Sequence, residues 1–126
     1  MAAVTRVKAR PCSPVGYEVV DKCALAADVV AGDLLKYTGA SSDGLAVMTK
    51  AAAGATEADG IALQDGYSGQ AGFSVGIQGE MDGWSGMTPG AALYPSASVA
   101  GGLDTTAAGV IRVKAVRPTR IRYNFV

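Results

Sequence analysis

An all-β chain is predicted from three observations. Asp-Gly pairs punctuate it at Asp43-Gly44, Asp59-Gly60, Asp65-Gly66 and Asp82-Gly83. Such pairs favour tight turns, because glycine takes positive φ without a Cβ clash. Short β-prone runs lie between them. In Phe73–Gln78 and Val110–Val116 apolar and polar or small residues alternate with the period of two that marks a strand with one buried face. Several short strands at this spacing make one compact β-sandwich or small β-barrel, of about seven to nine strands.

The elements follow in order. Residues 3–9 alternate loosely and suit a strand or an extended arm, and Pro11 and Pro14 break any ladder because proline has no N–H to donate. Residues 1–14 are therefore an extended N-terminal arm, expected to be mobile until docked, and residues 15–126 are the β-domain. Residues 16–21 suit a short strand. Residues 22–31 are ambiguous: Ala24–Ala27 permit one helical turn, while Val29-Val30 and Gly32 oppose a long helix. Leu34–Tyr37, Leu45–Thr49, Ile61–Gln64, Phe73–Gln78 and Ala91–Tyr94 read as strands. Residues 50–58 and 96–108 read as loops. In Val110–Val116, Ile111, Val113 and Ala115 share one side and Arg112 and Lys114 the other. After Pro118, Ile121, Tyr123 and Phe125 share a face.

Composition narrows the function classes. The 126 residues fit one domain, and 49% apolar with 17% charged residues is ordinary for a folded globule. Aromatics are only 6%, with 17 glycines, so the core is thin and association with other subunits would help it. The sequence has no histidine, which removes Ser-His-Asp and Cys-His catalysis and His-ligated zinc. No apolar run reaches the 18 or so residues of a membrane helix, and the N-terminus shows no signal-peptide stretch, so no membrane partner is expected. Cys12 and Cys23 read as two small half-buried thiols; the alternative, a bridge between them, requires an oxidising compartment.

Net charge is zero but segregated. Arg6, Lys8 and Arg10 stand at the start and Arg112, Lys114, Arg117, Arg120 and Arg122 at the end, while every acid lies between. Basic ends are one footprint of nucleic-acid binding. No aromatic platform accompanies them apart from Tyr123 and Phe125, so the reading is no nucleic acid, with the terminal strands neutralising acids on neighbouring strands or subunits.

No motif carries chemistry. Gly39–Gly44 has the glycine spacing of a phosphate loop, but Leu45-Ala46 stand where Lys and Ser/Thr belong. Asp59 with Asp65, and Glu80 with Asp82, are conceivable carboxylate pairs, but their glycine neighbours make them turn residues. Ser13, Ser68 and Ser85 have no histidine partner. The chain is read as no enzyme, with no cofactor and no metal. Trp84, between Gly83 and Ser85-Gly86, is either a core plug or an exposed interface anchor.

One series of motifs resembles a known family. It runs Val30-Ala31-Gly32-Asp33-Leu34-Leu35, a hairpin around Asp43-Gly44, Ala58-Asp59-Gly60-Ile61-Ala62, Val75-Gly76-Ile77-Gln78-Gly79, Met87-Thr88-Pro89-Gly90-Ala91-Ala92-Leu93-Tyr94 and Ala100-Gly101-Gly102-Leu103. This order, over about residues 29–116, is similar to the small β-domains of tailed-bacteriophage capsid decoration (cement) and head-fibre proteins. The family often closes with Val-Gly-x-Ala, whereas Ile111–Val116 carries Arg112 and Lys114. The resemblance implies a virion structural protein on the capsid exterior, made in the host cytoplasm, partnered by the major capsid protein and forming a homotrimer. Arg6, Lys8, Arg10 and Trp84 are then the expected capsid or subunit contacts. The alternative is a head- or tail-fibre module binding host glycan or protein, with Tyr67, Trp84 and Tyr94 clustered on one tip.

Overall fold

The computed structural model describes residues 4–11, 19–42 and 44–126. Residues 1–3 and 12–14 of the expected arm, Cys12, residues 16–18 of the strand expected at 16–21, and Asp43 lie outside them. Ten strands are present among the described residues, and no helix. They are β1 (Thr5–Pro11), β2 (Val19–Leu25), β3 (Leu34–Ala40), β4 (Ala46–Lys50), β5 (Gly60–Ala62), β6 (Phe73–Ser85), β7 (Ala92–Pro95), β8 (Leu103–Asp104), β9 (Val113–Arg117) and β10 (Arg120–Asn124).

β6 organises the molecule. Its first half pairs with β5 and β2, and the path β2–β4–β3–β5–β6 returns to β2. Five strands thus close a small ring, in which only β2–β4 is parallel. Closure leaves none of these strands with an unpaired edge along its paired length. The second half of β6 pairs with β10 on one side and β1 on the other. From β10 the sheet continues through β9 and β7 to β8. The Val4 N–H then donates to the Leu103 carbonyl at 2.8 Å, joining the chain before β1 to β8.

Two apolar clusters fill these halves. Cys23, Leu25, Leu35, Met48, Ala62, Phe73 and Val75 pack inside the ring. Leu34, Ile61, Met81, Trp84, Leu93, Val113, Ile121 and Tyr123 belong to the second cluster. Neighbours Leu34 and Leu35, and Ile61 and Ala62, face opposite clusters, so β3 and β5 form a wall buried on both sides. That explains why these strands read as continuous apolar runs, since alternation marks a strand with one wet face.

Several expectations shift. The helical turn at 22–27 is absent: β2 runs to Leu25. β6 extends seven residues past Gln78, and the 96–108 loop contains the short β8. Ile111 is 48% exposed, because β9 starts only at Val113. Phe125 is half-buried, whereas Ile121 and Tyr123 are fully buried. Cys23 is a free, buried thiol.

The N-terminal segment also differs from the mobile arm expected. Residues 5–11 form a strand on β6, with Ala9 in the core. Pro11 itself lies in this strand, opposite Met81.

Candidate functional site

The expected contact residues meet where β1 crosses the end of β6. Thr5 and Arg6 lie opposite Ser85 and Trp84, and Arg10 and Pro11 opposite Asp82 and Met81. Val7, Lys8 and Ala9 therefore face Gly83 alone. Gly83 has φ +126°, and a Cβ there would overlap the Lys8 carbonyl and the Ala9 Cα. The Gly83 and Trp84 N–H groups both donate to the Thr119 carbonyl, at 3.1 and 3.2 Å. Two donors on one acceptor mark a β-bulge, which switches the side chains that follow to the other face.

The bulge separates the four expected contacts. Lys8 and Arg10 are exposed and have no ion pair among the described residues. Arg6 turns inward instead. Its Nη2 lies 2.6 Å from Oδ1 of Asp33, which is 1% exposed, and its Nη1 donates to the Ala31 carbonyl. The other Asp33 oxygen accepts the Val30 N–H at 2.9 Å, with Lys50 Nζ at 3.7 Å. Trp84 is 3% exposed and packs in the second cluster, so it is a core plug rather than a projecting anchor. Of the four residues, Lys8 and Arg10 alone keep charges free for a partner.

These two charges border an open groove of about 510 Å³, lined also by Val7, Asp82, Trp84 and Arg120. Asp82 is already satisfied: Arg120 grips it with Nε and Nη2, each at 3.1 Å. Glu80 likewise takes Arg122 Nη2 at 2.8 Å. The two acids imagined as a catalytic pair are thus arginine partners on a sheet face. Asp59 accepts the Tyr37 N–H and Asp65 the Ala31 N–H, the backbone role that acids beside glycine commonly take. No cluster of three potential metal-ligating side chains occurs among the described residues.

Asp33 was not legible as a site residue. The available signal was its place in Ala31-Gly32-Asp33, directly before a double-apolar strand. The three aromatics of the fibre-module alternative are dispersed. Tyr67 is 64% exposed, Trp84 is in the core, and Tyr94 is half-buried beside Pro95 and Phe125.

Comparison of the chain with family models, with curated proteins and with solved structures finds no match.

Proposed function

We propose that this chain is a structural protein of a tailed-phage virion, a decoration protein that docks on the outside of the capsid shell and stabilises it as a homo-oligomer. The observation that carries this reading is β1. Among the described residues, β1 pairs along Thr5–Pro11 with β6 alone, which leaves its other edge open, and Lys8 and Arg10 on it have no ionic partners. An open strand edge supplies backbone hydrogen bonds to a partner, and its charges select an acidic surface. Like charges also disfavour antiparallel pairing of two such edges, which reserves this edge for a different surface.

The resemblance adds support through the placement of its motifs. Gly32-Asp33 leads into β3, Asp59-Gly60 opens β5, Thr88-Pro89-Gly90 turns into β7, and Gly101-Gly102 precedes β8. These are turn positions of a rigid scaffold, as a shell-stabilising protein needs.

The test is co-sedimentation with shells of the phage that encodes the chain, with imaging of particles with and without it. The chain is expected on the exterior, and Lys8→Glu with Arg10→Glu should weaken binding by about tenfold or more per charge. Absence of the chain from purified particles, or unchanged binding of the double variant, overturns the reading.

A further inference from the structure

Two surface features remain unexplained by folding or by β1. One is a tip built from loops 26–33 and 63–72. Val29 and Gly66 exchange both backbone hydrogen bonds at 3.0 Å, Asp65 Oδ1 accepts the Ala31 N–H at 2.9 Å, and Asp28 Oδ1 accepts the Ser68 N–H at 2.8 Å. This bonded platform holds Tyr67 and Val30 out in solvent, beside Asp28 and Asp65. Neither carboxylate has a cation partner among the described residues.

The other feature is a cleft of about 240 Å³ along β9 and β10, lined by Ile111, Arg112, Lys114, Arg122 and Asn124 among others. Ile111, just before β9, is exposed, and Val110 beside it is exposed too. Lys114 is exposed and has no ion pair among the described residues. Arg112 Nη1 donates to the Val126 carbonyl at 3.1 Å, and Arg112 has no ion pair among the described residues.

The two features match in kind. One offers an aromatic ring and an aliphatic side chain flanked by carboxylates, the other an aliphatic wall flanked by cations. We infer that the occupant of the cleft is the tip of a second copy of this chain, with Tyr67 seated against Ile111 and Asp65 and Asp28 facing Lys114 and Arg112. Charge complementarity selects this occupant. The chain is neutral overall, so copies do not repel at long range, while its uncompensated positive and negative groups sit on different patches. Exposed tyrosine on a preorganised loop is a favourable anchor, since little further ordering is needed on contact. Tip and cleft are different patches, so the contact is heterologous. It closes into a ring when the rotation allows and otherwise extends.

The inference rests on the reading of the chain as a self-assembling structural protein and assigns that assembly its contact. Its test is mass in solution, by sedimentation and light scattering, over a range of concentration and salt. The parent should form multiples of 12.7 kDa, with association weakening as salt rises. Tyr67→Ser and Lys114→Glu alter side chains that the described fold does not use, and each should weaken association about tenfold or more. Far-ultraviolet dichroism and Trp84 fluorescence establish that each variant is folded. A parent that stays monomeric, or Tyr67→Ser and Lys114→Glu variants that associate like the parent, overturns the inference. Assembly without particle binding removes the docking role and leaves the interface standing; particle binding by a monomer does the reverse.

Discussion

Asp33 is shielded from solvent, so its charge depends on the groups around it. Arg6 reaches it from β1 at 2.6 Å, and the Val30 N–H and Lys50 complete the set. Removing one partner of a buried ion pair leaves an uncompensated charge and typically costs about 3–5 kcal/mol. Lys50 and the Val30 N–H stay on Asp33 in Arg6→Ala, so that variant is expected to lose somewhat less than this, and Lys8→Ala, two residues on and exposed, less than about 0.5 kcal/mol; urea denaturation of the two variants checks the contrast. Asp104 gives a pH prediction. The Thr106 N–H donates to its Oδ1 at 3.0 Å and holds the carboxyl below its usual range, an effect that burial partly opposes. The folded pKa therefore lies below the unfolded one. The resulting stability is full above the ordinary carboxylate range, about 4, and fades as pH falls through the lowered value. Asp104→Asn should make the melting temperature fall less between pH 5 and pH 3 than it does in the parent. At this scale the sequence misleads in a specific way. Period-two reading puts Arg6, Lys8 and Arg10 on one face and leaves Trp84 undecided. Both outcomes turn on irregular pairing at Gly83: three residues of β1 face it alone, and on the other edge of β6 the Gly83 and Trp84 N–H groups share the Thr119 carbonyl. A bulge created by the close approach of two strands some 75 positions apart leaves no local pattern to read.

At the scale of elements, β1 is fastened by side chain and backbone together. Ala9 lies in the core, Arg6 compensates Asp33, and Gly83 admits the Lys8–Ala9 backbone against β6. Deleting residues 2–10 therefore removes part of the fold, contrary to what a free arm would allow. The truncated chain should melt well below the parent, and Gly83→Ala, which has a strained φ and no room for its Cβ, should reproduce much of that loss. A truncated chain with the parent's melting temperature would detach β1 from the structural role described. The C-terminal strand was more legible. Alternation of Ile121, Tyr123 and Phe125 is correct in phase, and Tyr123 packs against Phe125 with ring centroids 5.9 Å apart. Burial is nevertheless graded, because β10 ends at Asn124 and Phe125 is at the margin. Tyr123→Ala is thus expected to cost about 3–5 kcal/mol, as for other large aromatics in a core, and Phe125→Ala clearly less. Equal losses in denaturant melts would place Phe125 in the core on the same footing. Strands such as β3 and β5 were located from turn signals, but nothing in Leu34-Leu35 or Ile61-Ala62 told which residue faces which cluster. That choice belongs to the packing of the second half of the chain against the ring.

At the scale of the molecule, the all-β class followed from turns and alternation, while the arrangement of two clusters about one strand did not. The reason is β6. Its first half, Phe73–Gln78, shows clean alternation, but beyond it come Gly79, Glu80, Asp82 and Gly83, which read locally as turn residues. They belong to a strand only because β10 and β1 pair on either side. A single strand threading both clusters has a consequence for cooperativity. Cys23 and Phe73 lie in the ring cluster, Trp84 and Met81 in the other, and Phe73 to Trp84 is one continuous strand. Neither half can lose β6 without exposing the other, so the two should unfold together. Each cluster carries its own reporter. Trp84 fluorescence follows the second. In the ring, Cys23 is buried, and burial, aided by the negative charge of Asp21, pushes its thiol pKa up, so it stays protonated and unreactive near pH 8 until the ring opens. In a Cys12→Ser background, pulse labelling of Cys23 and Trp84 emission are expected to give the same urea midpoint and the same slope, the signature of a two-state transition. Labelling at a urea concentration where Trp84 emission is still native would mean that the five-stranded ring opens alone, and that β6 is a seam between two units rather than the strand that binds them.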